Sequence, residues 1–149
     1  MTETAGKNLD RSVDASREQP VVLVTDDHDD TRLLFRTILA KRGCVVIEAA
    51  DGEQAVRLAE SAAPDLILMD SILPRMSGLD ATRQIRELTN GRNTPIVFIS
   101  GRAEPQYRAM ALDAGCDEFL LKPLNFDLLG SVLEKHLGRL SASPTEQWI

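Results

Sequence analysis

Five polar residues stand at the ends of apolar runs. Asp26 and Asp27 follow "VVLVT", Asp70 closes "LILMD", Ser100 closes "PIVFIS" and Lys122 closes "EFLLK". Three carboxylates brought together repel one another, so such a cluster needs a compensating cation, and Lys122 supplies only one charge. An oxygen-rich set of this kind suits a hard divalent ion, Mg²⁺ first and Mn²⁺ as the alternative. Beside such an ion, Asp70 has the character of a nucleophile toward a phosphoryl group. Lys122 would then neutralise one phosphoryl oxygen, and the Ser100 hydroxyl would donate to another.

These residues can act together only if the fold gathers them. The runs 21–25, 44–49, 66–69, 95–100 and 118–122 are short, continuous and rich in β-branched or bulky residues. Continuous apolar runs suit strands covered on both faces, as in a parallel sheet between helices. The spacers read as helices with apolar faces: Leu34, Phe35, Ile38 and Leu39; Ala55, Val56 and Ala59; Ala81, Ile85 and Leu88; Tyr107, Met110, Ala111 and Ala114; Leu129, Val132, Leu133 and Leu137. Gly43, Gly91 and Gly115 fall where left-handed helix caps would sit. Five β-α units in this order predict a doubly wound α/β fold with right-handed crossovers. Ligands of such sheets sit beyond the carboxyl ends of the strands, where all five polar residues are placed.

The chain of 149 residues, 43% apolar, is sized for one domain, expected over residues 20–138. Residues 1–19 have only Leu9 and Val13 as sizeable apolar side chains and are expected to be a disordered extension. Residues 139–149 read as a flexible tail, with Trp148 its one potential anchor. A net charge of −6 argues against a nucleic-acid binder, whose affinity would rest on a basic footprint. Cys44 and Cys116 have no metal-ligand spacing and read as reduced, buried thiols. No run approaches the roughly 20 apolar residues of a membrane span, and no signal-peptide core opens the chain, so a cytoplasmic protein without membrane contact is expected.

Taken jointly, the acidic pair, Asp70 in "MDSILPRMSG", Ser100 and the "LKP" of Lys122 resemble the receiver domain of two-component response regulators. Intervals of 43, 30 and 22 residues separate Asp27, Asp70, Ser100 and Lys122 in turn, as is typical of that family. The resemblance covers roughly residues 20 to 138 and implies a flavodoxin-like fold, a five-stranded parallel sheet in the order 2-1-3-4-5 with five helices. It implies Asp70 as phosphoacceptor, charged from a phosphohistidine on a histidine kinase or phosphotransfer protein. The metal site it implies comprises Asp26, Asp27, Asp70 and the backbone carbonyl of Ile72. Pro74, Gly78 and Pro123 would shape the surrounding loops, Pro123 after a cis bond. Ser100 and Phe119 correspond to the family's switch pair. Phe119 lacks the hydroxyl of the commoner tyrosine, so a mainly inward side chain is expected.

Neighbouring residues refine this reading. His28 reads as a solvated loop histidine, because Mg²⁺ prefers oxygen ligands. Asp29 and Asp30 are expected to cap the first helix, and His136 to lie on the surface. Ile72 and Arg102, two residues beyond Asp70 and Ser100, would flank the path of a hydrolytic water, with Arg102 covering the phosphoryl group or pairing with Glu104. Slow self-dephosphorylation follows as an expectation. Only 27 residues follow Lys122, so a stand-alone receiver without direct DNA contact is expected, a monomer or a phosphorylation-dependent dimer. Its output would be a protein contact near Tyr107, Arg108, Leu128 and Lys135. Two other classes compete. A haloacid-dehalogenase-like phosphatase would want a second Asp two residues after Asp70, where Ile72 stands. A scaffold that acts without phosphorylation would have no use for the intact cluster.

Overall fold

The computed structural model describes residues 19–88 and 93–138. Its ten elements alternate: β1 Val21–Thr25, α1 Asp29–Lys41, β2 Val45–Ala49, α2 Gly52–Ala62, β3 Leu66–Asp70, α3 Gly78–Leu88, β4 Ile96–Ser100, α4 Pro105–Ala114, β5 Glu118–Leu121 and α5 Phe126–Leu137. The strands form one sheet in the order β2-β1-β3-β4-β5, and every pairing is parallel. The fold is the flavodoxin-like one expected. Among the described residues, no helix is long and apolar enough to cross a membrane.

Strand alternation divides the core in two. Leu23, Ile67, Met69, Ile96, Phe98 and Phe119 pack with α2, α3 and α4. Val22, Val24, Leu66, Leu68, Val97, Ile99 and Leu120 pack with α1 and α5. β3, at the centre, is buried along its whole length, including Asp70. Cys44 and Cys116 are buried free thiols, and burial pushes both up to about 11.

Several expectations are corrected. Leu34, Leu88 and Met110 are exposed, so the apolar stripes of α1, α3 and α4 are wider than the faces the sheet covers. Tyr107 is buried, as its place on the apolar face of the fourth helix implies and against its place on the expected output surface, whereas Arg108, Leu128 and Lys135 are exposed. The helix α1 is capped by His28, without a side-chain capping bond, and Asp29 and Asp30 lie inside its first turn. There they offset the helix dipole but do not cap it. His136 is largely buried, its Nε2 lying 2.7 Å from Glu118 Oε2. Gln19 lies outside the proposed domain yet donates to the Gly43 carbonyl at 3.0 Å. Gly43 and Gly115 have φ of 87° and 121°, as caps in the left-handed half of the map require. Gly91, Leu9, Val13 and Trp148 lie outside the described residues.

Candidate functional site

Asp70 is held from three directions. Its backbone N–H donates to Thr25 Oγ1 at 3.2 Å, and that hydroxyl donates to the Leu68 carbonyl at 2.9 Å, tying the end of β3 to β1. Its Oδ1 accepts the Ile72 N–H at 3.3 Å. Lys122 Nζ then reaches both carboxylate oxygens, at 3.2 and 3.4 Å. Lys122 is itself placed by β4, its N–H donating to the Ser100 carbonyl at 2.8 Å, and the following Lys122–Pro123 bond is cis.

Asp26 is buried beside this pair. Its Oδ1 accepts the His28 N–H at 2.8 Å, and its carbonyl accepts from Arg32 Nη1 at 2.7 Å. Burial and a hydrogen bond shared with Asp26 push the Asp70 carboxyl up to about 6, against the pull of Lys122. The rise comes first from taking the carboxylate out of water, which the neighbouring Lys122 charge only partly offsets. Asp27 lies at the rim, partly exposed. His28 is not simply solvated: its side chain is 69% exposed, yet Nδ1 lies 3.1 Å from Oδ1 of Asp26 and 3.1 Å from Oδ1 of Asp27. Asp26, Asp27 and His28 place ligand atoms within 4.8 Å of one another.

Ser100 is fully buried, and its Oγ accepts the Arg102 N–H at 3.0 Å. Phe119 is 8% exposed, turned inward as expected, with its ring 6.0 Å from Phe98 and 6.3 Å from Tyr107. Arg102 does not lie over Asp70. Its guanidinium stacks 4.1 Å above the Tyr107 ring and its Nε donates to Glu104 at 3.3 Å, which is the pairing alternative. Ile72 is 71% exposed beyond Asp70.

The loop residues have local reasons. The Pro74 carbonyl accepts the Gly52 and Met76 N–H groups at 3.3 and 2.7 Å. Gly78 lies so close to β3 that a Cβ there would meet the Asp70 carbonyl at 2.2 Å. A cavity of about 530 Å³ opens beside Asp26, Asp70 and Lys122, lined on its apolar side by Leu34, Phe35, Leu68, Ile99, Pro123, Leu124 and Phe126. Thr25 and Arg32 were not legible as site residues. Thr25 reads as an ordinary β-branched strand residue, and the one available signal is its polar hydroxyl closing an apolar run.

The profile of the response regulator receiver domain matches residues 22–134. This chain belongs to that family. It is 42% identical over 124 residues to the two-component response regulator ORR41 of Oryza sativa subsp. japonica, a match spanning 80% of this chain and 96% of ORR41. It is 35% identical over 115 residues to the CAI-1 autoinducer sensor kinase/phosphatase CqsS of Vibrio cholerae, spanning 76% of this chain but 17% of that protein. Among solved structures, the receiver domain of the sensor histidine kinase PA1611 from Pseudomonas aeruginosa PAO1, described with magnesium coordinated in its active-site cleft, has a TM-score of 0.74 at 36% identity. That superposition covers 80% of this chain and 98% of the other. Receiver domains pair with histidine kinases or phosphotransfer proteins, and bind Mg²⁺ in their acidic cluster. The donors on this chain fit such an ion, being carboxylates with excess negative charge gathered around Asp70.

Proposed function

We propose that this chain is a phosphorelay receiver that accepts a phosphoryl group on Asp70 from a phosphohistidine and signals by protein contact. The observation that carries this is the Lys122 ammonium lying on both oxygens of a strand-end Asp70 whose carboxyl is raised by burial and by a hydrogen bond shared with Asp26.

In the reaction, an Asp70 carboxylate oxygen attacks phosphorus while the bond from phosphorus to the donor imidazole nitrogen breaks. The electron pair leaves with the imidazole, which takes up a proton. The Thr25 contact fixes the Asp70 backbone and the Ile72 N–H holds its carboxylate, so little side-chain freedom remains to be lost on approach. Lys122 stays on the carboxylate and stabilises charge on the transferring group. Asp26, Asp27, Asp70 and the Ile72 carbonyl would hold Mg²⁺, which supplies charge neutralisation when bound. The apolar cavity between α1 and the β5–α5 turn suits the hydrophobic side of a donor helix, with Leu34 and Phe126 exposed on its rim.

The chain is read as cytoplasmic and as catalysing only its own phosphorylation and slow dephosphorylation. The match to nearly all of ORR41 supports a regulator that works without an attached effector. The chain is proposed to be a monomer or a dimer formed on phosphorylation. Incubation with acetyl phosphate and Mg²⁺ should add one phosphoryl mass to the wild type and none to Asp70→Ala. An unmodified wild type would favour a scaffold role, and turnover of general phosphate esters would favour a phosphatase. Followed over time, the same adduct should outlast that of an Ile72→Asn, Arg102→Ala double variant. Equal, short lifetimes would remove slow dephosphorylation.

A further inference from the structure

We propose that His28 is a protein ligand of the divalent-cation site, giving that site a nitrogen donor that favours a borderline transition ion over Mg²⁺. The inference rests on the receiver reading above and adds the identity of the metal the site prefers.

Ligands bound at about 2.0–2.1 Å to an octahedral ion lie about 3.0 Å from their neighbours around it. His28 Nδ1 is 3.1 Å from an oxygen of Asp26 and 3.1 Å from an oxygen of Asp27, the spacing of neighbouring ligands around such an ion, and the three residues place ligand atoms within 4.8 Å of one another. The ring does not have to be brought there. The His28 N–H donates to Asp26 Oδ1 at 2.8 Å, which anchors the residue to the first carboxylate just before α1 begins. With a side chain that is 69% exposed, the imidazole also lies open to an ion arriving from solvent.

Donor chemistry then separates the ions. Carboxylate and carbonyl oxygens serve Mg²⁺ and Mn²⁺ alike, whereas an imidazole nitrogen adds little for Mg²⁺ and progressively more along the series from Mn²⁺ to Co²⁺ and beyond. A site with oxygens from Asp26, Asp27 and Asp70 and a nitrogen from His28 should therefore discriminate in a way that depends on one side chain. In the competing account, Nδ1–H is only a hydrogen-bond donor to the two carboxylates and leaves when an ion binds.

The test uses the full chain and the metal ions alone. Titration calorimetry with Mg²⁺, Mn²⁺ and Co²⁺ should show His28→Ala losing on the order of tenfold in Co²⁺ affinity. Its Mg²⁺ affinity should change by less than about twofold, since the imidazole adds little for that ion. Pulsed electron paramagnetic resonance of the Mn²⁺ complex should show imidazole nitrogen coupling in the wild type and none in His28→Ala. The wild-type spectrum is independent of how the variant folds. A Co²⁺ affinity unmoved by His28→Ala, or a wild-type Mn²⁺ complex without nitrogen coupling, overturns the proposal. If Mg²⁺ still supports Asp70-dependent phosphorylation in that case, the receiver reading stands. Failure to bind any of the ions, together with no phosphoryl transfer, overturns both.

Discussion

On the α1 and α5 side of the sheet, Asp26, Asp70 and Lys122 are charged groups bordering an apolar cavity, each fixed by hydrogen bonds at a strand end. On the α2, α3 and α4 side, Phe98, Phe119 and Tyr107 form an aromatic cluster with ring centroids 6.0 to 6.3 Å apart and Arg102 stacked on its edge. Strand alternation sends neighbouring residues to these two places, so Ile99 faces the first and Ser100 leaves β4 toward the second. The first region carries excess negative charge and should respond to pH, cations and loss of a charge. The second is held by packing and should be nearly blind to all three. Ser100 joins them, giving its carbonyl to Lys122 and its hydroxyl to the Arg102 N–H.

The largest effect is expected at the charged corner. Lys122→Met removes the cation on Asp70, and the rate of phosphorylation by acetyl phosphate should fall about 10²- to 10³-fold, the scale seen when one positioned donor is lost. A fall of only a few-fold would mean that Lys122 is not a principal stabiliser.

Next is the pH dependence of stability in chelator-treated buffer. Asp70 binds its proton more tightly folded than unfolded, its carboxyl rising from 3.8 to about 6, so the folded state holds more protons between those values. Stability of the wild type should therefore fall, relative to Asp70→Asn, as pH rises from about 4 to about 6. The gap should reach about 3 kcal/mol at most above that window, and close below it. Denaturant midpoints of the two proteins that run parallel across this range would contradict the raised Asp70 carboxyl.

The smallest effect belongs to the aromatic side. Arg102→Ala should cost about 0.5–1 kcal/mol through the lost stacking on Tyr107, with the exposed Glu104 pair adding little. Its initial phosphorylation rate should stay near that of the wild type. A loss comparable to that of Lys122→Met would break the division between the two regions.

Much of the site is legible in the sequence. Asp26, Asp27, Asp70, Ser100 and Lys122 stood out because a polar residue closing a buried run has few structural uses, and parallel topology gathers strand ends along one edge. What was not legible depended on packing across elements. Leu34, Leu88 and Met110 satisfy a helical period, but a period does not say how far the sheet extends beneath the helix. Tyr107 falls on the apolar face of its helix and also on the expected output surface; its packing against Phe98 and Phe119 decides for the core. His28 was set aside on ligand preference, a rule about ions that carries no information on where the ring lies. His136 likewise gave no sign of Glu118, which approaches from β5.

The hydroxyl of Thr25 has one more consequence. Because the Asp70 N–H is bonded to a buried side chain on β1 rather than to water, that amide can exchange with solvent only when β1 and β3 part. The phosphoacceptor amide is therefore expected among the slowly exchanging ones. Chemistry can come and go on its side chain while its own backbone stays tied to β1.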